Sequence, residues 1–190
     1  MDKKRVKDIR YLRMARIWSE NSYAVRLKVG CLIVSKEGNI ISDGYNGTPR
    51  GFENVCEVVD PDSGNELTIK QVAFSGTDCE RELCERYEID YLRAASEQGY
   101  KIISKPYVLH AEANAITKLA RSTQSCEGAT IYVTDMPCVE CAKLIIQSGI
   151  SRVVYERPYR LDDGIILLKR AGIEITHIPS SEIASAEKGA

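Results

Sequence analysis

Two polar interruptions of apolar sequence hold the residue types that do chemistry. In VLHAEANAI, residues 108–116, His110 and Glu112 stand inside an alanine-rich run. Further along, MPCVECAK places Cys138 and Cys141 three residues apart, directly after Pro137. Proline fits the start of a helix, so both thiols fall on one face of a first turn. The exposed amides and the helix dipole there favour thiolate, the form that binds metal. One imidazole and two thiolates are three ligands for tetrahedral zinc, and an open fourth position for water marks a catalytic site rather than a structural one. Glu112 lies two residues from His110, a spacing that in mid-helix turns the side chains to nearly opposite sides. Both approach one ion only if the pair sits at the helix start, with His110 in a non-helical conformation. A carboxylate beside an activated water is a proton shuttle.

These side chains need a scaffold, and hydrophobic periodicity supplies one. In residues 5–20, Val6, Ile9, Leu12 or Arg13, Arg16 and Ile17 recur at helical spacing. KVGCLIVSKEGNIISDGYN predicts two strands about a turn at residues 36–39. HAEANAITKLAR is helical, GATIYVTD a strand, PCVECAKLIIQSG a helix ending at Gly149, and ISRVVYE a strand. LDDGIILLKRAG and IEITHI add a helix and a last strand. Strands alternating with helices imply crossover connections, a mostly parallel portion of sheet and helices on both faces. The expected fold is therefore α/β, a three-layer α/β/α sandwich with a mixed, largely parallel central sheet. Residues 1–180 read as a single domain, with a charged, turn-rich insertion at about 57–105 and a small, polar tail at 181–190 that frays.

Composition narrows the class. A chain of 190 residues, 44% hydrophobic and 28% charged, can bury one core. Twenty-six basic and twenty-seven acidic residues leave a net charge of -1, which offers no bulk footprint for duplex nucleic acid or an anionic membrane. No apolar core follows the charged N-terminal residues, and no run approaches the roughly 20 apolar residues of a membrane span, so the expectation is a cytoplasmic protein. Seven cysteines, an odd number, point to thiols and thiolate ligands rather than to a disulfide framework.

His-x-Glu followed by Pro-Cys-x-x-Cys matches the signature of zinc nucleobase deaminases. Beyond that motif, the chain resembles the deoxycytidylate (dCMP) deaminase family of the cytidine deaminase-like fold over residues 5–57 and 106–178. YAVRLKVGCLIV at 23–34, DGYNGTPRG at 43–51 and VVYERPYRLDDG at 153–164 carry the likeness. The resemblance implies hydrolysis of dCMP to dUMP and ammonia, feeding thymidylate synthesis. It also implies a homohexamer activated by dCTP with Mg2+ and inhibited by dTTP. His110, Cys138 and Cys141 would hold Zn2+ and Glu112 would move the protons. A backbone amide near Ala111 would hold the cytosine, and Asn46 the sugar. For the 5′-phosphate the resemblance favours Arg26 with Tyr155 and Tyr159, with Lys28, Arg157 and Arg160 as competitors; arginine's fork of donors suits a phosphate. Gly44, Tyr45, Asn46 and Gly47 resemble the family's effector-binding turn, so Asn46 faces either the substrate or the effector. Cys56, Cys79 and Cys84 cluster on the insertion and could share a second, structural zinc with a ligand from elsewhere. Cys31 reads as a core residue, and His177 as structural or exposed.

Three other functions compete. An RNA-editing adenosine deaminase shares the zinc motif but calls for a basic surface that a net charge of -1 does not supply. Deaminases of free nucleosides or of the riboflavin pathway share the chemistry, but GYNGTP and the two tyrosines of VVYERPY argue against them. A zinc-stabilised sensor of dCTP would have no use for Glu112.

Overall fold

The computed structural model describes residues 2–60, 78–97, 99–159 and 161–188, except the side chains of 78–84, 87, 187 and 188. The chain forms two compact units, one of Met1–Ser22, Val29–Asn46 and His110–Ala190, the other of Tyr23–Lys28 and Gly47–Leu109. The second unit is thus wider than the insertion expected at about 57–105.

The first unit is built on five strands, β1 (Gly30–Val34), β2 (Ile40–Tyr45), β5 (Thr130–Asp135), β6 (Arg152–Arg157) and β7 (Glu174–His177), in the order β2-β1-β5-β6-β7. β1 runs antiparallel to both β2 and β5, whereas β5, β6 and β7 are parallel. Alternation along the strands sorts side chains onto two apolar faces. Cys31, Ile33, Ile131, Val133 and Val153 pack under α3 (Ala111–Leu119), α4 (Val139–Gln147) and α5 (Asp163–Arg170). Leu32, Val34, Tyr132 and Val154 pack against α1 (Lys3–Ser19) and α6 (Ser180–Lys188). The result is the three-layer α/β/α arrangement with a mixed sheet that the periodicity predicts. The β1–β2 turn closes through Ser35 N–H donating to Asn39 O at 2.8 Å, with Gly38 at φ 90°, a conformation glycine adopts readily.

Charge as well as apolar packing fixes α1. Asp8, 2% exposed, accepts two hydrogen bonds from Arg152 (2.8 and 2.7 Å) and one from Tyr132 Oη (2.8 Å). Arg152 also donates to Thr176 and to Glu174. Nearer the other end of the helix, Arg16 grips the buried Glu156 with two hydrogen bonds of 2.7 and 2.6 Å, and Ser180 donates to the same carboxylate.

The C-terminal segment, expected to fray, is instead the helix α6, because Ile183 is fully buried in the layer beside α1 and Ala186 packs against the same cluster. A small polar composition concealed one deep anchor. Ile183→Ala is expected to lower unfolding free energy by about 2 kcal/mol or more, read by denaturant titration. A loss under 0.5 kcal/mol would return the segment to a loosely held tail.

The second unit pairs β3 (Glu57–Val59) antiparallel with β4 (Ile102–Ser104) and adds α2 (Asp78–Glu97). Val55, Ile89, Leu92 and Ile102 form its own buried core. The helix follows the charged helical pattern seen in the sequence; strands of three residues are too short for alternation to register. Among the described residues no helix is long and apolar enough to cross a membrane.

Candidate active site

Both halves of the motif sit where a chain segment enters a helix. His110 is the N-cap of α3, extended at φ -69°, ψ 157°, and its carbonyl accepts the Asn114 N–H at 2.9 Å. Cys138 is the N-cap of α4 at φ -74°, ψ 173°, and its carbonyl accepts the Ala142 N–H at 2.8 Å. Pro137 therefore lies one residue outside the helix, not at its first position, which leaves Cys138 extended and Cys141 in the first turn. Neither His110 nor Cys138 uses its side chain as a cap. Both are turned towards each other instead.

His110 Nδ1 stands 3.5 Å from Cys138 Sγ and 3.4 Å from Cys141 Sγ, and the three donor atoms lie within 4.8 Å of one another. Zinc bonds of about 2.3 Å to sulfur and about 2.0–2.1 Å to nitrogen, at tetrahedral angles, set S···N separations of about 3.5–3.6 Å. The cluster fits zinc through Nδ1. It is the one such group of three among the described residues. A hydrogen bond from Cys141 and the neighbouring imidazole pull the Cys138 thiol down to about 3, while the same bond to Cys138, together with burial, holds the Cys141 proton more tightly than usual. A dication would relieve that crowding by taking both sulfurs as thiolates.

Glu112 projects from the first turn of α3 and is 4% exposed. Burial pushes its carboxyl up to about 7, against the opposing pull of the His110 imidazole and the Cys141 side chain. A cation in the cluster would draw it back towards the charged form.

α3 is seated on β2 by backbone contact. A Cβ on Gly44 would stand 2.1 Å from Ala111 O and 2.7 Å from Ala115 N, so only glycine permits this approach. Ser42 Oγ donates to Ala115 O at 2.7 Å, and Asn114 Nδ2 to Tyr45 O at 2.9 Å. On the other side, α5 presses on the Cys138 segment: a Cβ on Gly164 would stand 2.1 Å from Pro137 O. Gly164 escaped the sequence reading, although an isolated glycine within a helical pattern is itself a signal of close approach.

The remaining expected residues are dispersed. Asn46 exchanges backbone hydrogen bonds with Val29, its Oδ1 accepting the Val29 N–H at 2.8 Å and its N–H donating to Val29 O at 3.2 Å; Ser22 Oγ donates to Asn46 O. Tyr155 packs against the core under α3, α4 and α5 and stacks on His177 at 4.9 Å. Tyr159 is exposed. Arg157 is paired with Asp135 through hydrogen bonds of 3.0 and 2.6 Å, a partnership the sequence did not disclose. Arg26, Lys28 and Gly47 belong to the second unit, where Arg26 Nη1 approaches Ser104 Oγ at 3.4 Å. Cys31 is fully buried, as its strand setting suggested, and His177 is exposed with Nε2 at 2.8 Å from Glu156 O. Arg160 lies outside the described residues, as do the side chains of Cys79 and Cys84; Cys56 is buried.

With this geometry in place, the family model described as the cytidine and deoxycytidylate deaminase zinc-binding region matches residues 5–157. The chain belongs to this zinc-binding deaminase family. The deoxycytidylate deaminase of Enterobacteria phage T4 is 35% identical over 177 residues, 90% of each chain. That of Homo sapiens is 32% identical over 145 residues, 76% of this chain and 61% of its own. Among solved structures, the dCMP deaminase of cyanophage S-TIM5 in complex with dCMP and dUMP superposes with a TM-score of 0.66 at 31% identity, covering 94% of this chain and 99% of that one. Zinc is thus the metal of the family, and the histidine and two cysteines gathered at the starts of α3 and α4 have the donors it takes.

Proposed function

We infer that the chain hydrolyses dCMP to dUMP and ammonia, at a zinc held by His110, Cys138 and Cys141 and with Glu112 as the proton carrier. One observation carries this reading: a buried carboxylate in the first turn of α3, two residues from His110, with His110, Cys138 and Cys141 gathered at a spacing that fits tetrahedral zinc. The deaminases of phage T4 and cyanophage S-TIM5 support dCMP as the substrate.

When bound, zinc supplies a Lewis acid that lowers the pKa of a water towards neutrality. The rest falls to side chains. Glu112 takes that water's proton and passes it to N3 of the cytosine, which makes C4 electrophilic. The water's oxygen then adds at C4, and Glu112 takes the proton of the new hydroxyl and delivers it to the amino group, which leaves as ammonia while C4 keeps the oxygen as a carbonyl, so one carboxylate serves as base and as acid. The Ala111 amide orients the ring, and Asn46, whose Oδ1 accepts the Val29 N–H, faces either the sugar or the effector. Arg26 with Tyr155 and Tyr159 takes the 5′-phosphate; Arg157 is the weaker choice, since its fork is engaged by Asp135. Gly44, Tyr45, Asn46 and Gly47 form the effector turn for dCTP with Mg2+ and for dTTP, in a cytoplasmic homohexamer that supplies thymidylate synthesis. Residues at about 57–105 are an insertion on one deaminase domain, and Cys56, with Cys79 and Cys84, offers donors for a structural zinc.

Ammonia release from dCMP, CMP, deoxycytidine and cytosine, each with dCTP plus Mg2+ and with dTTP, tests the reading. Turnover confined to dCMP, raised by dCTP and lowered by dTTP, is the expected pattern. Indifference to the triphosphates would remove the regulatory part. Turnover of none of the four, with zinc bound stoichiometrically, would overturn the substrate assignment and favour a non-catalytic sensor.

A further inference from the structure

We propose that Gly164 is a positioning residue for the metal centre, holding the Cys138 segment at the height that brings both thiolates to His110. The inference rests on the reading that His110, Cys138 and Cys141 bind zinc. Gly164 is buried in the first turn of α5, and α5 is itself packed into the core through Ile165 and Leu168. Within a helix, alanine is a better residue than glycine wherever a methyl group fits. Here it does not fit. A Cβ would stand 2.1 Å from Pro137 O, 2.9 Å from Cys138 C and 3.0 Å from Cys138 O, and all three are backbone atoms that cannot swing aside as a flexible side chain would.

The second of these carbonyls has a further duty. Cys138 O accepts the Ala142 N–H and so opens α4, whose first turn contains Cys141. On the sheet side the same segment is pinned, because Met136 N–H donates to Arg157 O at 2.9 Å. Pressure from a methyl at 164 falls first on Pro137 O and then on the Cys138 carbonyl, and a displacement of that stretch of backbone turns Cys138 and Cys141 together relative to His110 on α3. The imidazole does not follow, because α3 is seated separately on Gly44 and Ser42. The S···N separations of 3.5 and 3.4 Å depend on that seating.

Gly164→Ala in the full chain tests the assignment, with Leu168→Ala as the companion: Leu168 is fully buried on the same helix, in the core cluster shared with Ala142 and Ile145 of α4. Zinc affinity is measured by competition with a chromophoric chelator, and the Co2+-substituted protein is examined for its thiolate-to-cobalt charge-transfer band. Gly164→Ala is expected to weaken zinc binding 10- to 100-fold, as altered support of a metal ligand typically does at order of magnitude, and to shift or weaken the cobalt band. Leu168→Ala should lose thermal stability while keeping affinity and band. Unchanged affinity and spectrum in folded Gly164→Ala would overturn the inference, as would equal losses in both variants. If Gly164→Ala does not fold alone, it is refolded in saturating Co2+: recovery with an altered band supports the assignment, whereas a wild-type band, or no recovery, overturns it. A wild-type chain that takes up no zinc would instead sink the underlying reading of the ligands.

Discussion

Glu112→Gln is expected to lower ammonia release from dCMP by about 10,000-fold or more while the protein keeps its zinc. A single proton-transfer role contributes about 100- to 10,000-fold, and Glu112 is assigned two in succession, to N3 and to the amino group. Glutamine preserves the shape of the side chain and can neither take nor deliver those protons at neutral pH. Zinc retention follows from the ligand set, which lies in His110, Cys138 and Cys141 and not in the carboxylate. Stability should hold or rise, because burial already works against the charged form of Glu112. Steady-state ammonia release, metal analysis of the purified variant and a melting curve decide the matter together. Retained turnover would remove Glu112 from the reaction; lost zinc would make it part of the metal site.

Asp8→Ala is expected to destabilise the fold by about 3 kcal/mol, the low end of what breaking a buried pair costs, because Arg152 keeps the half-exposed Glu174 carboxylate. Arg152 would lose its two shortest hydrogen bonds and Tyr132 its acceptor, under a helix that excludes water from both. The companion variant Asp8→Leu with Arg152→Met should recover most of the loss, since an apolar pair of similar volume can replace a buried ion pair at little cost. Burial raises the Asp8 carboxyl, but the hydrogen bonds from Arg152 and Tyr132 outweigh it and hold the group below its usual value of 3.8. Burial likewise opposes Glu156, and Arg16 and Ser180 overcome it, keeping that group below 4.5. A carboxyl whose folded pKa is depressed contributes stability that is complete above its unfolded pKa and disappears as pH falls through the folded one. Acid unfolding should therefore set in below about pH 4, and Asp8→Ala should flatten the acid limb of the stability curve. Denaturant midpoints measured from pH 7 down to pH 3 give both numbers. A variant within 1 kcal/mol of wild type, with an unaltered acid limb, would show the pair to be incidental.

The motif was legible because its chemistry is local. Each half lies within four residues, and the conformational requirement on His110 followed from helix geometry alone. Alternation found the five strands of the large sheet because each is buried on both faces or on one. What stayed hidden depends on partners remote in sequence. Asp8 and Arg152 are 144 positions apart, and each alone reads as a solvated charge on an amphipathic element. Arg157 could be named as a phosphate ligand only while its tie to Asp135 was invisible. Gly44 read as a turn glycine and Gly164 drew no notice, because a steric seat is a property of two backbones and one sequence shows only one of them. α6 was lost to composition, since a single isoleucine anchors an otherwise small, polar segment.

The strand order carries a consequence for the order in which the chain can fold as it is made. β1 and β2 leave the ribosome as a hairpin, but the other edge of β1 is reserved for β5, and Gly47–Leu109, the larger part of the second unit, is synthesised in between. α1 emerges before both and must wait for Arg152 to neutralise Asp8, and for Ile183, far along the chain from it, to cover its flank. Until then the nascent chain presents an unpaired strand edge and an amphipathic helix covered only in part, by β1, the features that recruit chaperones and invite association between neighbouring chains on one messenger. Slowing translation across Gly47–Leu109 would lengthen that exposure without changing a single residue of the finished protein.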